Sequence, residues 1–403
     1  MATSQPPSPK PNSPREMDSG APPEPSSPKP ARSPSPQRPQ KEEPFQPLSG
    51  LIAINKPRGI SSSQAMREVM NHFNTSTIFA PTLAHESSKR AEHNKFNRRR
   101  KNKRIEVKMG HGGTLDPMAS GVLVLGIMNG TKQLQDYLTG TKTYEAVALF
   151  GCATDTYDAL GKIIKTAPWE HVTKERVEKE LGQFKGDIMQ KPPLYSALHH
   201  EGKRYYEYAR EGKPLPVEIQ ARPVTTVEMD LVGYTDTHEY KFPSEEVSEE
   251  VKMEAEVLEK EMKETEKQPA KMEESDETAQ PGEKRTRCSS SPTLGPDIKK
   301  PKVDASSESG PAAPPKNPPT AALRMSVSKG FYVRSLVYDL GNAVDSAAHM
   351  VKLVRTQQGQ WVLGKNVFEW EDIVGQPEEK WGKRVEQALK TWEKEKKATT
   401  GEE

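Results

Sequence analysis

The chain predicts an α+β domain assembled from two sequence-distant pieces, and three observations support this reading. Apolar runs of strand length are interspersed with stretches whose apolar residues recur at helical spacing. Proline is segregated, with 14 of the 36 residues in positions 1–45 and 11 in positions 243–319. Ordered patterning resumes after position 319, so the second proline-rich stretch interrupts a domain and does not end one.

The predicted boundaries are a disordered Pro/Ser-rich tail over 1–45, the first part of the domain over 46–242, and an exposed basic loop within it at 74–104. A disordered acidic, Pro-rich insert follows over 243–321, then the last part of the domain over 322–398 and a short tail over 399–403. Only 33% of the 403 residues are hydrophobic and the mean hydropathy is −0.85, low for a chain folded throughout. The N-terminal tail carries Ser-Pro dipeptides at Ser8, Ser13, Ser27, Ser33 and Ser35, a composition that cannot bury enough apolar surface to offset chain entropy.

Order begins with Leu51, Ile52, Ala53 and Ile54, a strand-like run stopped by Lys56-Pro57-Arg58-Gly59. Ser61, Ser62 and Ser63 offer helix caps before Ala65, Met66, Val69, Met70 and Phe73, which share one helical face. Residues 122–125 read as a strand, 131–138 as a short helix closed by Gly140, and 144–150 as a strand buried on both faces. A helix starts at Thr173 and presents Val177, Leu181 and Phe184, further turns or helix fall at 204–210, and a strand at 224–232. After the insert come an alternating strand from Leu323, a Ser328-Lys329-Gly330 turn, and a helix carrying Leu336, Val337, Leu340 and Val344.

The net charge of +2 conceals a separation of signs, because residues 95–108 hold eight Lys or Arg against one Glu while the insert is rich in Glu. That distribution permits a nucleic-acid partner. The two cysteines, Cys152 and Cys288, are far apart, and no Cys/His cluster has metal-ligand spacing. No apolar run reaches the length of a membrane span, and the N-terminus has neither a secretory nor a transit pattern.

The Gly-rich run Gly110-His111-Gly112-Gly113-Thr114-Leu115-Asp116-Pro117 is the most unusual segment. It has neither the Gly-Lys-Ser/Thr ending of a P-loop nor the spacing of a dinucleotide fingerprint. Its glycines let backbone approach a ligand closely. On pattern alone, Asp116 before Pro117 reads as a turn cap more readily than as a catalytic carboxylate.

Continued through Met118-Ala119-Ser120-Gly121-Val122-Leu123, the run resembles the signature of TruB-type pseudouridine synthases. Further segments match in order: 55–62 (Asn-Lys-Pro-Arg-Gly-Ile-Ser-Ser), 142–146, 154–161 (Thr-Asp-Thr-Tyr-Asp-Ala-Leu-Gly), 193–198, 206–212 and 328–336. The resemblance covers nearly all of the two ordered pieces. It implies a pseudouridine synthase catalytic fold, with a mixed, largely antiparallel sheet flanked by helices and loops. It also implies isomerisation of a T-loop uridine of tRNA at position 55, or of T-arm-like hairpins in mRNA, by a monomer without metal or cofactor.

The resemblance further implies roles for individual residues. Asp116 is the catalytic carboxylate and Arg210 its partner, keeping it ionised and fixing its direction. Tyr144 stacks on the target base and takes a proton, and Tyr208 lines the same pocket. His111 fills the space left when the uridine flips out, and Lys329 and Arg334 support the pocket or bind phosphate. Lys56 and Pro57 buttress the loop. The extended loop and the insert resemble eukaryotic, especially fungal, members, with the RNA-binding PUA domain absent or reduced. Lys284-Arg285-Thr286-Arg287 and Lys299-Lys300-Pro301-Lys302 suit a bipartite nuclear signal, so nuclear localisation, with a mitochondrial or cytoplasmic pool, is expected. Two other readings are a guide-RNA-dependent H/ACA-type synthase and a tRNA-binding folding chaperone.

Overall fold

The computed structural model describes residues 45–93, 105–196, 198–211, 218–248 and 317–400, and the compact unit that carries the sheet begins at Gln46. The strands are β1 Gly50–Lys56, β2 Met109–His111, β3 Ser120–Ile127, β4 Lys142–Phe150, β5 Cys152–Thr154, β6 Ile163–Thr166, β7 Gly186–Gln190, β8 His199–His200, β9 Lys203–Arg204, β10 Arg222–Thr235, β11 Thr320–Val327, β12 Ala348–Gln358 and β13 Trp361–Val362. The α-helices are α1 Ser62–Asn74, α2 Ala80–His93, α3 Leu134–Thr139, α4 Lys174–Leu181, α5 Tyr205–Arg210, α6 Val333–Ala343, α7 Trp370–Ile373 and α8 Glu378–Thr400.

Nine strands form one sheet in the order β1-β3-β12-β4-β11-β10-β7, with β2 on β3 and β13 on β12. Only the β12–β3 pair is parallel; all other pairs in this sheet are antiparallel. The sheet is therefore mixed and largely antiparallel, as expected. Strands β11 and β12, which follow the insert, enclose β4, which precedes it. The two sequence-distant pieces share one sheet.

Strand period explains why residues 51–54 of β1 and 122–125 of β3 are apolar without alternation. Ile52, Ile54, Leu123, Leu125 and Ile127 join one core cluster, while Leu51, Ala53, Val122 and Val124 join another, so successive residues serve opposite faces. The first of these clusters takes in Val69 and Phe73 of α1, Phe79, and Trp381, Val385 and Leu389 of α8. There Phe73 stacks on both Phe79 and Trp381, with ring centroids 4.7 and 5.4 Å apart. A third cluster joins β4, β11 and β12 to Val177 and Leu181 of α4 and to Leu336, Val337 and Leu340 of α6.

Local signals account for the helix starts. Ser61 caps α1 by accepting from the Gln64 N–H at 3.1 Å, and Thr173 caps α4 by accepting from the Arg176 N–H at 3.3 Å. Several elements differ from the sequence reading. Residues 80–93, expected within a loop, form α2, which Phe79 and Leu83 anchor to the core; its remaining surface is too polar to show periodicity. Helix α8 and strand β12 had no predicted counterpart, and α8 reaches Thr400, inside the expected tail. Most of the insert and of the N-terminal tail lie outside the described residues.

Candidate active site

The loop from Gly112 to Ala119 joins β2 to β3, and nearly every part of it is held. The Gly112 N–H donates to the Val124 carbonyl at 2.9 Å. From below, buried Arg355 of β12 donates to the carbonyls of Val122 (2.7 Å) and Gly113 (3.1 Å), and Gln358 donates to Gly112 O at 2.6 Å. The Leu115 N–H donates to Ser62 Oγ at 2.7 Å, and that hydroxyl donates back to the Leu115 carbonyl at 2.9 Å. The turn after β1 closes the other side: the Gly59 N–H donates to the Pro117 carbonyl (2.8 Å), and Arg58 Nε to the Met118 carbonyl (3.1 Å).

Asp116 stands on this loop with its side chain 32% exposed, and the guanidinium that meets it belongs to Arg334 of α6. Arg334 Nε donates to Oδ2 at 2.8 Å and Nη2 to Oδ1 at 3.3 Å, a two-point fork on one carboxylate. The same guanidinium donates to the carbonyls of Thr156 (2.8 Å) and Tyr195 (3.0 Å) and lies 3.9 Å from Asp158 Oδ2. Asp158 is almost buried and accepts from the Thr156 hydroxyl (2.8 Å) and the Leu160 N–H (2.9 Å). Burial pushes its carboxyl pKa up, against the pull of Arg334 and of those hydrogen bonds. Arg334 is thus fixed by four acceptors on three segments, and it fixes Asp116 in turn.

The sequence reading gave the partnership with Asp116 to Arg210 and pocket support or phosphate binding to Arg334; the structure shows a fork on Asp116 from Arg334. Arg334 enters from the first turn of a helix whose neighbours Val333 and Leu336 are core, so packing aims its side chain inward. Only the backbone of Arg210 is described, as the last residue of α5.

The other predicted residues fall at varied distances from this pair. Tyr144 on β4 is half-buried against the cluster that includes Leu115 and Met118, the residues flanking Asp116 and Pro117. His111 ends β2 at the start of the loop; burial first, then the charge of Arg355, lower its imidazole pKa and so favour the neutral ring. Tyr208 lies on α5 under the ammonium of Lys203, 4.7 Å from its ring centroid, and donates to the His200 carbonyl. Lys329 is exposed in the turn before α6. Lys56 is fully buried, its ammonium donating to the carbonyls of Pro57 (2.8 Å) and Ile60 (2.7 Å). Desolvation lowers its pKa to about 8, while the Asp116 charge opposes that shift.

Sequence reasoning missed the supports. Asp158, Thr156 and Lys142 lay in matching segments without a role, and Arg355 and Gln358 carried no visible signal because polar residues in a strand ordinarily read as its wet face.

A family model for the N-terminal domain of TruB family pseudouridylate synthases matches residues 98–258. The tRNA pseudouridine synthase 4 of Schizosaccharomyces pombe is 44% identical over 347 residues, covering 80% of this chain and 82% of that protein. The chain belongs to the TruB family of pseudouridine synthases. The tRNA pseudouridine synthase 4 of Saccharomyces cerevisiae is 35% identical over 365 residues, 85% of either chain. Among solved structures, a Cbf5-Nop10-Gar1 complex aligns with a TM-score of 0.41 and 17% identity, over 81% of this chain and 54% of that one.

A TruB-family enzyme performs an isomerisation. The bond from N1 of uracil to C1′ of ribose breaks, the base turns, and C5 bonds to C1′ while its proton leaves and N1 regains one. Atoms and electrons balance within the substrate, so the chemistry asks for an oriented carboxylate in a pocket that admits a base. The Asp116–Arg334 fork has that form: a carboxylate held at both oxygens keeps a fixed direction, and its side chain is 32% exposed.

Proposed function

We propose that the chain isomerises uridine 55 in the T-loop of tRNA, that it also accepts T-arm-like hairpins of mRNA, and that it does so as a monomer without a guide RNA. The observation that carries this reading is the partly exposed Asp116 carboxylate gripped at both oxygens by Arg334. The long alignments to two proteins named as tRNA pseudouridine synthases support tRNA as the substrate. Asp116 starts the reaction, either by attack on the sugar or base or by assisting deprotonation toward a glycal-like intermediate. Tyr144 stacks on the flipped base, and neutral His111 occupies the space it vacates. Tyr208 lines the pocket, and Lys329 meets phosphate at its rim.

Outside the described residues, Lys95, Arg98, Arg99, Arg100, Lys101, Lys103 and Arg104 supply phosphate contacts, and the basic pairs of the insert direct the protein to the nucleus. Among the described residues no helix is long and apolar enough to cross a membrane.

The test is purified protein with a T-arm hairpin and no guide RNA, followed by release of the uracil C5 hydrogen. Wild-type protein should turn over. Asp116→Asn should abolish turnover while RNA affinity stays within a few fold, since the change keeps size and removes the reacting charge. Turnover by Asp116→Asn, or none by wild type, would refute the reading.

A further inference from the structure

Tyr157 has a φ of +61°, a left-handed conformation that residues other than glycine, asparagine and aspartate seldom occupy and that persists only where surroundings fix it. The reaction as derived above makes no use of it. Its ring stacks on that of Tyr338, with centroids 4.1 Å apart and planes 19° from parallel. Its N–H donates to the Thr154 carbonyl and its own carbonyl accepts from the Met350 N–H, both at 3.0 Å. Glycine or asparagine would take this backbone conformation with less strain, so the ring is retained for something the turn alone does not need.

That something lies along α6. Tyr338 and Arg334 are four residues apart and share one face of the helix. On the turn that meets them, Tyr157 is flanked by Thr156, whose carbonyl accepts from Arg334, and by Asp158, whose carboxylate lies 3.9 Å from the same guanidinium. The helix thus grips the turn at two points one helical turn apart, once through stacked rings and once through the group that orients Asp116.

We propose that Tyr157 is a positioning residue for the isomerisation: its stack on Tyr338 sets the turn's seat on α6, and with it the angle at which Arg334 presents its fork to Asp116. The proposal rests on Asp116 being the reacting carboxylate. Nothing in it requires Tyr157 to touch RNA.

Full-length variants are compared with a T-arm hairpin at excess enzyme, measuring single-turnover rate, RNA affinity and thermal midpoint. Tyr157→Asn, which tolerates the backbone but loses the stack, should slow the rate by about tenfold or more while affinity changes by less than about threefold, the pattern of misplaced reacting groups. Tyr157→Phe keeps the stack and should retain the wild-type rate. Tyr338→Leu should reproduce the Tyr157→Asn loss, and the double variant should be no slower than either single one, since both remove the same interaction. Should Tyr157→Asn fail to fold, Tyr338→Leu carries the same comparison from the helix side. Additive losses, an unchanged rate in Tyr157→Asn or Tyr338→Leu, or a Tyr157→Phe rate as low as that of Tyr157→Asn would overturn the proposal. Asp116→Asn is assayed in parallel, because turnover there sinks the underlying reading whatever the tyrosines do.

Discussion

Replacing Arg334 by lysine keeps the charge and removes the fork, so it isolates what geometry contributes. In the native site the guanidinium makes four hydrogen bonds, two to Asp116 and one each to the carbonyls of Thr156 and Tyr195. An ammonium on a flexible stem cannot span these directions at once. Keeping two of the four sacrifices two hydrogen bonds from a charged donor, each worth roughly 1.5–3 kcal/mol. Taking the low end for both gives about 3 kcal/mol, a fall of about 10²-fold in single-turnover rate. RNA affinity should stay within a few fold, because Arg334 is almost buried behind the carboxylate. Release of the C5 hydrogen from labelled T-arm RNA at excess enzyme measures the rate, and equilibrium binding measures the affinity. A rate within about threefold of wild type, or a large loss in Arg210→Lys with Arg334→Lys spared, would refute the reasoning.

Ser62→Ala leaves the buried N–H and carbonyl of Leu115 without their shared partner. It should cost about 1–3 kcal/mol in urea denaturation, with a lowered kcat because the loop before Asp116 loosens; no loss in either would refute the pin. Lys142 donates to the carbonyls of Leu138 and Gly140, and burial lowers its pKa to about 8 from the ordinary 10.5. Between those values the unfolded chain binds more protons than the folded one, so this lysine makes stability rise with pH across that window. Lys142→Met should flatten the rise seen in denaturation at pH 7.5, 8.5 and 9.5, and an unaltered slope would refute the assignment.

What was legible in the sequence depended on which face a residue serves. Apolar runs such as 51–54 and 122–125 announced strands because both of their faces are buried. Strand β12, inside the sheet, stayed hidden because Arg355 and Gln358 are polar yet fully buried, their donors spent on carbonyls of the 112–119 loop. Asp116 was found through the resemblance of its neighbours, since an Asp-Pro pair alone is ambiguous. The fork from Arg334 was not legible, because two arginines lay in matching segments and packing alone brings this guanidinium to the carboxylate. Helix α2 escaped notice because its sequence offers little apolar surface beyond Leu83.

The interlacing of the two pieces has a consequence in time. Asp116 and Arg334 are 218 residues apart, so at ribosomal speeds of about 5–20 residues per second the guanidinium is made roughly 10–40 s after the carboxylate. Between the completion of β4 at Phe150 and the start of β11 at Thr320, β4 lacks both of its neighbours, β11 and β12, and offers two open edges to any passing strand. Until Arg334 is made, the Asp116 carboxylate lacks the fork that holds both its oxygens. A message cut before the codon for Arg334 lacks the guanidinium that meets Asp116 and also β12, one of the two strands that pair with β4, so what it leaves is an unfinished sheet.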